Sequence, residues 1–266
     1  MGMESRRYGQ SRISWGGPLT PAVKYLLIAN GVVFLIQSLV PDNIYNLMLR
    51  ELGLVPRAVT HGLRIWQPFT YMFLHGGFLH LFFNMLALWM FAGDLERAWG
   101  KRRFLNFYFL TGVGAGVINI IVKTVMDMNV NFSALPADAI TPSMVPTIGA
   151  SGAIYGVLIA MAVLFPDRHV YLLLPPVELP MRVFVFIMGA ISFFGTIGAT
   201  GDKVSHVTHL GGMLVGWVYL RRGSFFFGMR NRVSDWKRQR LRKRFEVYMR
   251  EHDKVEPPSR PDRWVN

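Results

Sequence analysis

Six stretches of this chain are apolar, almost free of charge, and close to the length that a helix needs to cross a lipid bilayer. About 20 apolar residues span the ~30 Å hydrocarbon core of a membrane. Together with 52% hydrophobic residues and a mean hydropathy of +0.29, the pattern predicts an all-α integral membrane protein. The predicted spans, numbered 1 to 6, are residues 25–40, 78–91, 104–122, 151–165, 181–199 and 204–220.

The basic residues predict how these spans are oriented. Lysine and arginine are concentrated before span 1, between spans 2 and 3, between spans 4 and 5, and after span 6. The last 46 residues hold 14 Lys and Arg against 6 Asp and Glu, which is 8 of the net +13 charges. By the positive-inside rule, both termini are cytoplasmic and the number of spans is even. The prediction is a six-helix bundle in which spans 2, 4 and 6 start on the outer side.

The composition divides the chain into three regions. Residues 1–21 form a polar cytoplasmic segment, residues 22–222 form the membrane core, and residues 223–266 form a basic, partly helical cytoplasmic tail. The tail is interpreted as a solvated helix or as a helix lying on anionic lipid. No nucleic-acid partner is expected, because no recognition motif accompanies the charge. The absence of cysteine excludes disulfides and thiolate zinc sites, and neither a metal nor a cofactor is expected.

Polar residues gather near the outer ends of spans 2, 4 and 6. Ser151 follows Gly149 and opens span 4, which is only about 22 Å long at 1.5 Å per residue and so shorter than the hydrocarbon core. If the inner end of span 4 reaches the cytoplasmic interface, Ser151 lies below the outer one. His80 and Asn84 in span 2 and His209 in span 6 lie at similar depth. Polar groups at one depth on three helices indicate a shared hydrated interior.

Two glycine pairs explain how span 4 and span 6 could approach each other. Gly152 and Gly156 in span 4 and Gly212 and Gly216 in span 6 are both GxxxG pairs, which permit close contact of helix backbones. Gly212 and Gly216 lie on the same face as His209. Packing of the two faces is therefore expected to bring the imidazole to the Ser151 hydroxyl.

This arrangement predicts a serine nucleophile. Serine needs a base at neutral pH, and imidazole is the commonest one. The outer halves of spans 2, 4 and 6 contain no Asp or Glu, so Ser151 and His209 are expected to act as a dyad. The oxyanion would be met by the Ser151 backbone N–H, His80 and Asn84. Tyr155, one turn after Ser151, would stack on the His209 ring.

The motifs, in chain order, are His75-x4-His80-x3-Asn84, Gly149-x-Ser151-Gly152 with Tyr155, and His209-x2-Gly212-x3-Gly216. As a set, over about residues 22–222, they resemble the rhomboid intramembrane serine proteases. Trp66-Gln67-x-Phe69-Thr70 is similar to that family's first outer loop, with Gln67 where the family usually has arginine.

The resemblance implies a six-helix prokaryotic-type protease that cleaves other transmembrane segments near the outer face of the membrane. It gives Ser151 the role of nucleophile, His209 that of general base, and His80 and Asn84 that of oxyanion donors. The implied partners are single-pass or other transmembrane protein substrates, entering laterally past span 5, and membrane lipids. The expected location is a prokaryotic plasma membrane.

Three alternatives stay open. A catalytically inactive rhomboid-like protein would use the same fold to bind transmembrane clients. A transporter would also bury polar residues, although no broken-helix pair is visible. A metalloprotease would need histidine ligands but lacks an HExxH motif. The histidines available to it are His75, His80, His206 and His209.

Overall fold

The computed structural model describes residues 17–128, 130, 136, 139–173, 176–197 and 206–222. The predicted N-terminal segment lies almost wholly outside these residues, and so do the tail from residue 223 and its expected helix at 230–250. The chain divides into two compact units, Met1–Tyr219 and Leu220–Asn266. Only the first few residues of the second unit are described, so the account below concerns the first.

The described part is mostly helical. Three helical segments are long and apolar enough to cross a membrane: α1 (Pro21–Leu39), the continuous helix Phe78–Trp99 and α7 (Lys101–Asp127). The second consists of α5 (Phe78–Ala87), a π-helical turn at Leu88–Ala92 and α6 (Gly93–Trp99). Two shorter apolar helices follow, α8 (Ser151–Leu164) and α9 (Met181–Ile197), and then α10 at 206–222. Three helices thus meet the length criterion, and the six-span arrangement and its orientation stay predictions.

Short elements connect the long helices. Between α1 and α5 lie α2 (Asp42–Leu52), α3 (Pro56–Thr60), α4 (Gln67–Thr70) and a 3-10 turn at Tyr71–Phe73, and a second 3-10 turn, Pro142–Met144, precedes α8. Strands β1 (His169–Leu173) and β2 (Pro176–Pro180) form an antiparallel hairpin between α8 and α9, with Tyr171 opposite Glu178. Nothing in the sequence analysis predicted this hairpin.

Several boundaries differ from the predicted spans. Helix α7 starts three residues before predicted span 3 and continues five residues beyond it. The apolar run of span 2 ends at Phe91, whereas its helix continues to Trp99. Both differences have one cause: hydropathy ends a span where charged residues begin, but a helix continues as long as its backbone hydrogen bonds do.

Helix α1 is held at its start by a residue of α6. The Glu96 carboxylate accepts backbone N–H bonds from Ala22 (2.9 and 3.0 Å) and from Val23 (3.0 Å). The first N–H groups of a helix have no partner within the helix, and a carboxylate there is also stabilised by the helix dipole. Glu96 therefore caps α1 and joins it to α6.

Helix α8 lies at the centre of the described unit. It contacts α5, α6, α7 and α9, and most of its side chains are buried from Gly152 to Met161. Its glycines allow this close packing: a Cβ added to Gly156 would lie 2.6 Å from Thr111 Cβ on α7. The helix that starts at Ser151 is thus enclosed on several sides, and its first turn is the natural place for a protected site.

The connection between α1 and α5 is anchored by Gln67, which is fully buried. Its side-chain oxygen accepts the Val55 N–H at 3.0 Å, and its amide nitrogen donates to the Arg50 carbonyl at 2.9 Å. Trp66 donates its indole N–H to the Glu51 carbonyl at 2.8 Å. A neutral amide at position 67, together with the indole of Trp66, thus fixes the loop backbone.

Candidate active site

The turn before Ser151 is fixed by backbone hydrogen bonds. Thr147 forms a two-way bridge with Leu54, each N–H lying 2.9 Å from the partner's carbonyl oxygen, and the Gly149 N–H donates to the Tyr71 carbonyl at 2.9 Å. Gly149 has φ +119, a conformation that side chains strongly disfavour. Glycine at this position lets the chain turn sharply into α8.

Helix α7 holds the same segment from the other side. Lys123 donates to the Thr147 hydroxyl at 3.0 Å and to the Val145 carbonyl at 3.2 Å. One turn later, the Asp127 carboxylate accepts bonds from the Thr141 hydroxyl at 2.7 Å and the Ser143 N–H at 3.2 Å. Sequence reasoning missed both residues, because a charged pair near the end of an apolar stretch was taken as the limit of the span.

Ser151 is the first residue of α8, and His209 on α10 faces it. Their side chains are hydrogen-bonded, with 2.9 Å between His209 Nε2 and Ser151 Oγ. Tyr155 lies parallel to the imidazole, with ring centroids 4.2 Å apart and an interplanar angle of 4°. The serine, the imidazole and the supporting ring that the sequence singled out are therefore in one place.

The glycine pairs of α8 and α10 lie where the two helices meet. A Cβ added to Gly212 would collide with the Gly152 carbonyl, and one added to Gly216 would lie 3.2 Å from the Gly156 Cα and oxygen. Only glycine allows backbones this close. This contact sets the distance between α8 and α10 at the level of His209.

His80 and Asn84 of α5 lie beside the Gly149 turn. A Cβ added to Gly149 would be 2.7 Å from His80 Nε2 and 3.8 Å from Asn84 Nδ2. Asn84 is buried, and its amide donates to the His80 carbonyl at 3.0 Å. Side-chain N–H groups of α5 are thus next to the start of α8, where the backbone N–H groups and the helix dipole favour negative charge.

The other histidines do not gather around one centre. His75 packs edge-to-face on His80 at 5.0 Å between ring centroids, and His206 does so on His209 at 6.0 Å. Across the described residues, no group of three or more His, Cys, Asp or Glu side chains is arranged to hold a metal ion.

One contact of the histidine was not foreseen. Ser192, completely buried on α9, places its hydroxyl 3.5 Å from His209 Nδ1. The only signal in the sequence is a single serine within an apolar helix, a common feature of packed membrane helices.

Comparison with known proteins identifies the family of this chain. The family model of the Rhomboid domain matches residues 62–224, which is more than half of the chain and includes every site residue described above. The chain belongs to the rhomboid family. It is therefore an integral membrane protein with a mostly helical fold of the rhomboid type.

Relatives of this rhomboid come from different organisms. It is 25% identical to "Rhomboid-like protein 16, chloroplastic" of Arabidopsis thaliana, over 80% of the chain and 66% of that protein. It is 28% identical to "Rhomboid protease AarA" of Providencia stuartii (57% and 53%) and 31% identical to "Presenilin-associated rhomboid-like protein, mitochondrial" of Mus musculus (57% and 36%). The chain thus spans two thirds or less of the length of these relatives.

Proposed function

We propose that this rhomboid is an intramembrane serine endopeptidase, with Ser151 as nucleophile and His209 as general base. The observation that carries the proposal is the 2.9 Å hydrogen bond between Ser151 Oγ and His209 Nε2. A serine and a base within hydrogen-bond reach, with the base held by a further group, is the arrangement that activates a hydroxyl nucleophile.

The first step is attack of Ser151 Oγ on the scissile carbonyl carbon, while His209 Nε2 takes the hydroxyl proton. The carbonyl oxygen becomes an oxyanion, for which we propose the Ser151 backbone N–H, His80 and Asn84 as donors. The same imidazole then gives its proton to the leaving amine, and an acyl-enzyme remains. Water activated by His209 hydrolyses the ester and restores the serine.

The proposed substrates are transmembrane segments of other membrane proteins. Helix α8 has 14 residues, about 21 Å at 1.5 Å per residue and so shorter than the ~30 Å hydrocarbon core. If its far end lies at the basic side of the membrane, Ser151 lies within the opposite leaflet. A peptide bond in a helix is shielded by its own hydrogen bonds, so substrates with glycine or proline near the cleavage site are expected.

We propose that the site opens to the side of the membrane opposite the basic residues. This proposal rests on the positive-inside rule and on the six-span topology. The relatives include proteins named as chloroplastic and mitochondrial. For that reason, the prokaryotic plasma membrane stays a prediction. Contact of the basic tail with anionic lipid likewise stays a prediction.

Substrate entry past α9 is a further part of the proposal. Phe193 and Phe194 on α9 are 51% and 69% exposed, as expected for a face that meets lipid or an incoming helix. Replacing either by alanine should change the cleavage rate of a transmembrane substrate. Unchanged rates for both would argue against entry along this face.

The decisive experiment is labelling of the purified protein with a fluorophosphonate, read by intact mass. We expect a single adduct on the wild type and none on Ser151→Ala or His209→Ala. Ser38→Ala and His61→Ala are matched controls, because both residues are exposed and far along the chain from the site, and both should label normally. Folded protein that forms no adduct would favour the inactive, client-binding alternative.

A further inference from the structure

The buried hydroxyl of Ser192 stands next to the ring nitrogen of His209 that does not face Ser151. From this geometry, and resting on the proposed function, we infer that Ser192 is the positioning residue of the base. Its oxygen accepts the Nδ1–H of His209 and thereby keeps Nε2 free of a proton and directed at Ser151. The outer halves of spans 2, 4 and 6 contain no carboxylate that could orient the base. A neutral hydroxyl from α9 would take that role.

The argument begins with the tautomer. A neutral imidazole has one N–H donor and one acceptor nitrogen. To take the Ser151 proton, Nε2 must be the acceptor, so Nδ1 carries the hydrogen and needs an acceptor of its own. Within the described part of the chain, Ser192 is the side chain that hydrogen-bonds to Nδ1. The 3.5 Å separation is long, and such bonds in unliganded sites shorten when substrate binds.

The second step concerns rotation of the imidazole ring. Stacking on Tyr155 at an interplanar angle of 4° fixes the plane of the His209 ring. It does not fix which edge of the ring faces Ser151, because a 180° rotation about the Cβ–Cγ bond keeps the same plane and exchanges the two nitrogens with the two ring carbons. A hydrogen bond at the ring edge removes that freedom. Ser192 supplies that bond from α9, so the plane of the His209 ring is fixed by α8 and its edge by α9.

The third step is how α9 keeps this hydroxyl in place. Ser192 is completely buried. At Gly195, one turn further along α9, an added Cβ would collide with the His206 ring. The helix therefore packs on both histidines of α10 through residues with a small side chain or none. The orientation of the base therefore depends on close packing of α9 against α10.

The test compares Ser192→Ala with Ser192→Thr, which keeps the hydroxyl. Thr196→Ala is the matched control, because Thr196 lies one turn later on α9 and bonds to the Ser192 backbone carbonyl at 2.8 Å. Fluorophosphonate labelling is measured over a range of probe concentrations, so that the maximal rate is separated from probe binding. We expect Ser192→Ala to lower the maximal rate about tenfold, the factor for one lost neutral hydrogen bond, with probe binding unchanged. The Thr variant should recover most of the rate, and Thr196→Ala should equal the wild type.

A spectroscopic readout makes the test independent of rate. In ¹⁵N-histidine spectra assigned with His209→Ala, wild-type His209 should carry its proton on Nδ1, and Ser192→Ala should show a mixture of tautomers. A wild-type proton on Nε2 would overturn the inference even if Ser192→Ala did not fold. So would Ser192→Ala with wild-type rate and tautomer. Absence of labelling at Ser151 in the wild type would contradict the proposed function itself. That outcome is distinct from failure of this inference, because it is measured without any variant at position 192.

Discussion

The contact between α8 and α10 predicts a large loss of activity from adding one methyl group at Gly212. A Cβ there would lie 2.9 Å from the Gly152 carbonyl carbon and closer still to its oxygen. A side chain could rotate away, but these are backbone atoms of a helix enclosed by its neighbours. Gly212→Ala must therefore push α10 away from α8, because close-packed interiors do not absorb such overlaps.

The size of the effect follows from the distances. Ordinary van der Waals contact begins at 3.4 Å, so the helices have to separate by roughly 1–1.5 Å at this level to clear the Gly152 oxygen. His209 is three residues before Gly212 and on the same face, so its imidazole moves with the helix. The 2.9 Å bond to Ser151 is then stretched beyond hydrogen-bond distance. A misplacement of about 1 Å in an active site lowers the rate about 100-fold.

The assay is the rate of fluorophosphonate labelling, with thermal unfolding in detergent measured beside it. Gly31→Ala is the control, because a Cβ on this helical glycine of α1 meets nothing within 4 Å, and it should label like the wild type. Gly216→Ala should give a smaller loss, because its Cβ would lie 2.7 Å from Ile159 Cγ2, a side-chain atom that can move, and 3.2 Å from the Gly156 backbone. Wild-type labelling and unfolding temperature in both glycine variants of α10 would refute the packing argument.

Three further predictions concern the frame around the site. Glu96→Gln should lower the free energy of unfolding by about 2 kcal/mol, because the charged acceptor of the Ala22 and Val23 N–H groups is lost; an unchanged unfolding temperature would contradict the capping role. Burial, and to a smaller extent the charge of neighbouring His80, lowers the pKa of His75 to about 4, so the folded state favours its neutral form. The free energy of unfolding should therefore fall by up to about 3 kcal/mol as the pH drops from 6.5 to 4. His75→Gln should reduce this dependence of stability on pH, whereas His61→Gln, at an exposed position, should not. The same pH dependence in the wild type and both variants would refute the role of His75. Lys123→Met should slow Ser151 labelling about tenfold, because the hydrogen bond to the Thr147 hydroxyl is lost. Lys123→Arg should slow labelling less. A Met variant that labels at the wild-type rate would show that Lys123 does not hold the segment before Ser151.

The sequence predicts features that are encoded by a regular pattern within a single helix, such as apolar length or glycine spacing. Apolar length identified the positions of the long helices, and among the described residues three of them meet the length criterion by themselves. The GxxxG spacing identified the faces of α8 and α10 that lie against each other, since a glycine pair one turn apart has few other uses in an apolar helix. The closeness of Ser151 and His209 was inferred from those faces, before any distance was known.

What could not be predicted depends on contacts between distant segments. The bridge between Leu54 and Thr147 joins two loops more than ninety residues apart, and neither segment has a strand pattern. Lys123 and Asp127 look like the polar end of a span, although both bond to the chain that precedes the nucleophile. Ser192 is indistinguishable by composition from any serine in a membrane helix, and only its position beside His209 gives it meaning.

The two halves of the proposed dyad are held in different ways. The turn before Ser151 is fixed by backbone bonds to Tyr71 and Leu54, and none of these bonds involves α9. His209 is held by side chains: the ring of Tyr155 on α8 and the hydroxyl of Ser192 on α9. Displacement of α9 should therefore disorient the base and leave the nucleophile in place. If substrate enters past α9, the base regains its full orientation only when α9 packs again on α10, so that closure and activation of the serine are the same event.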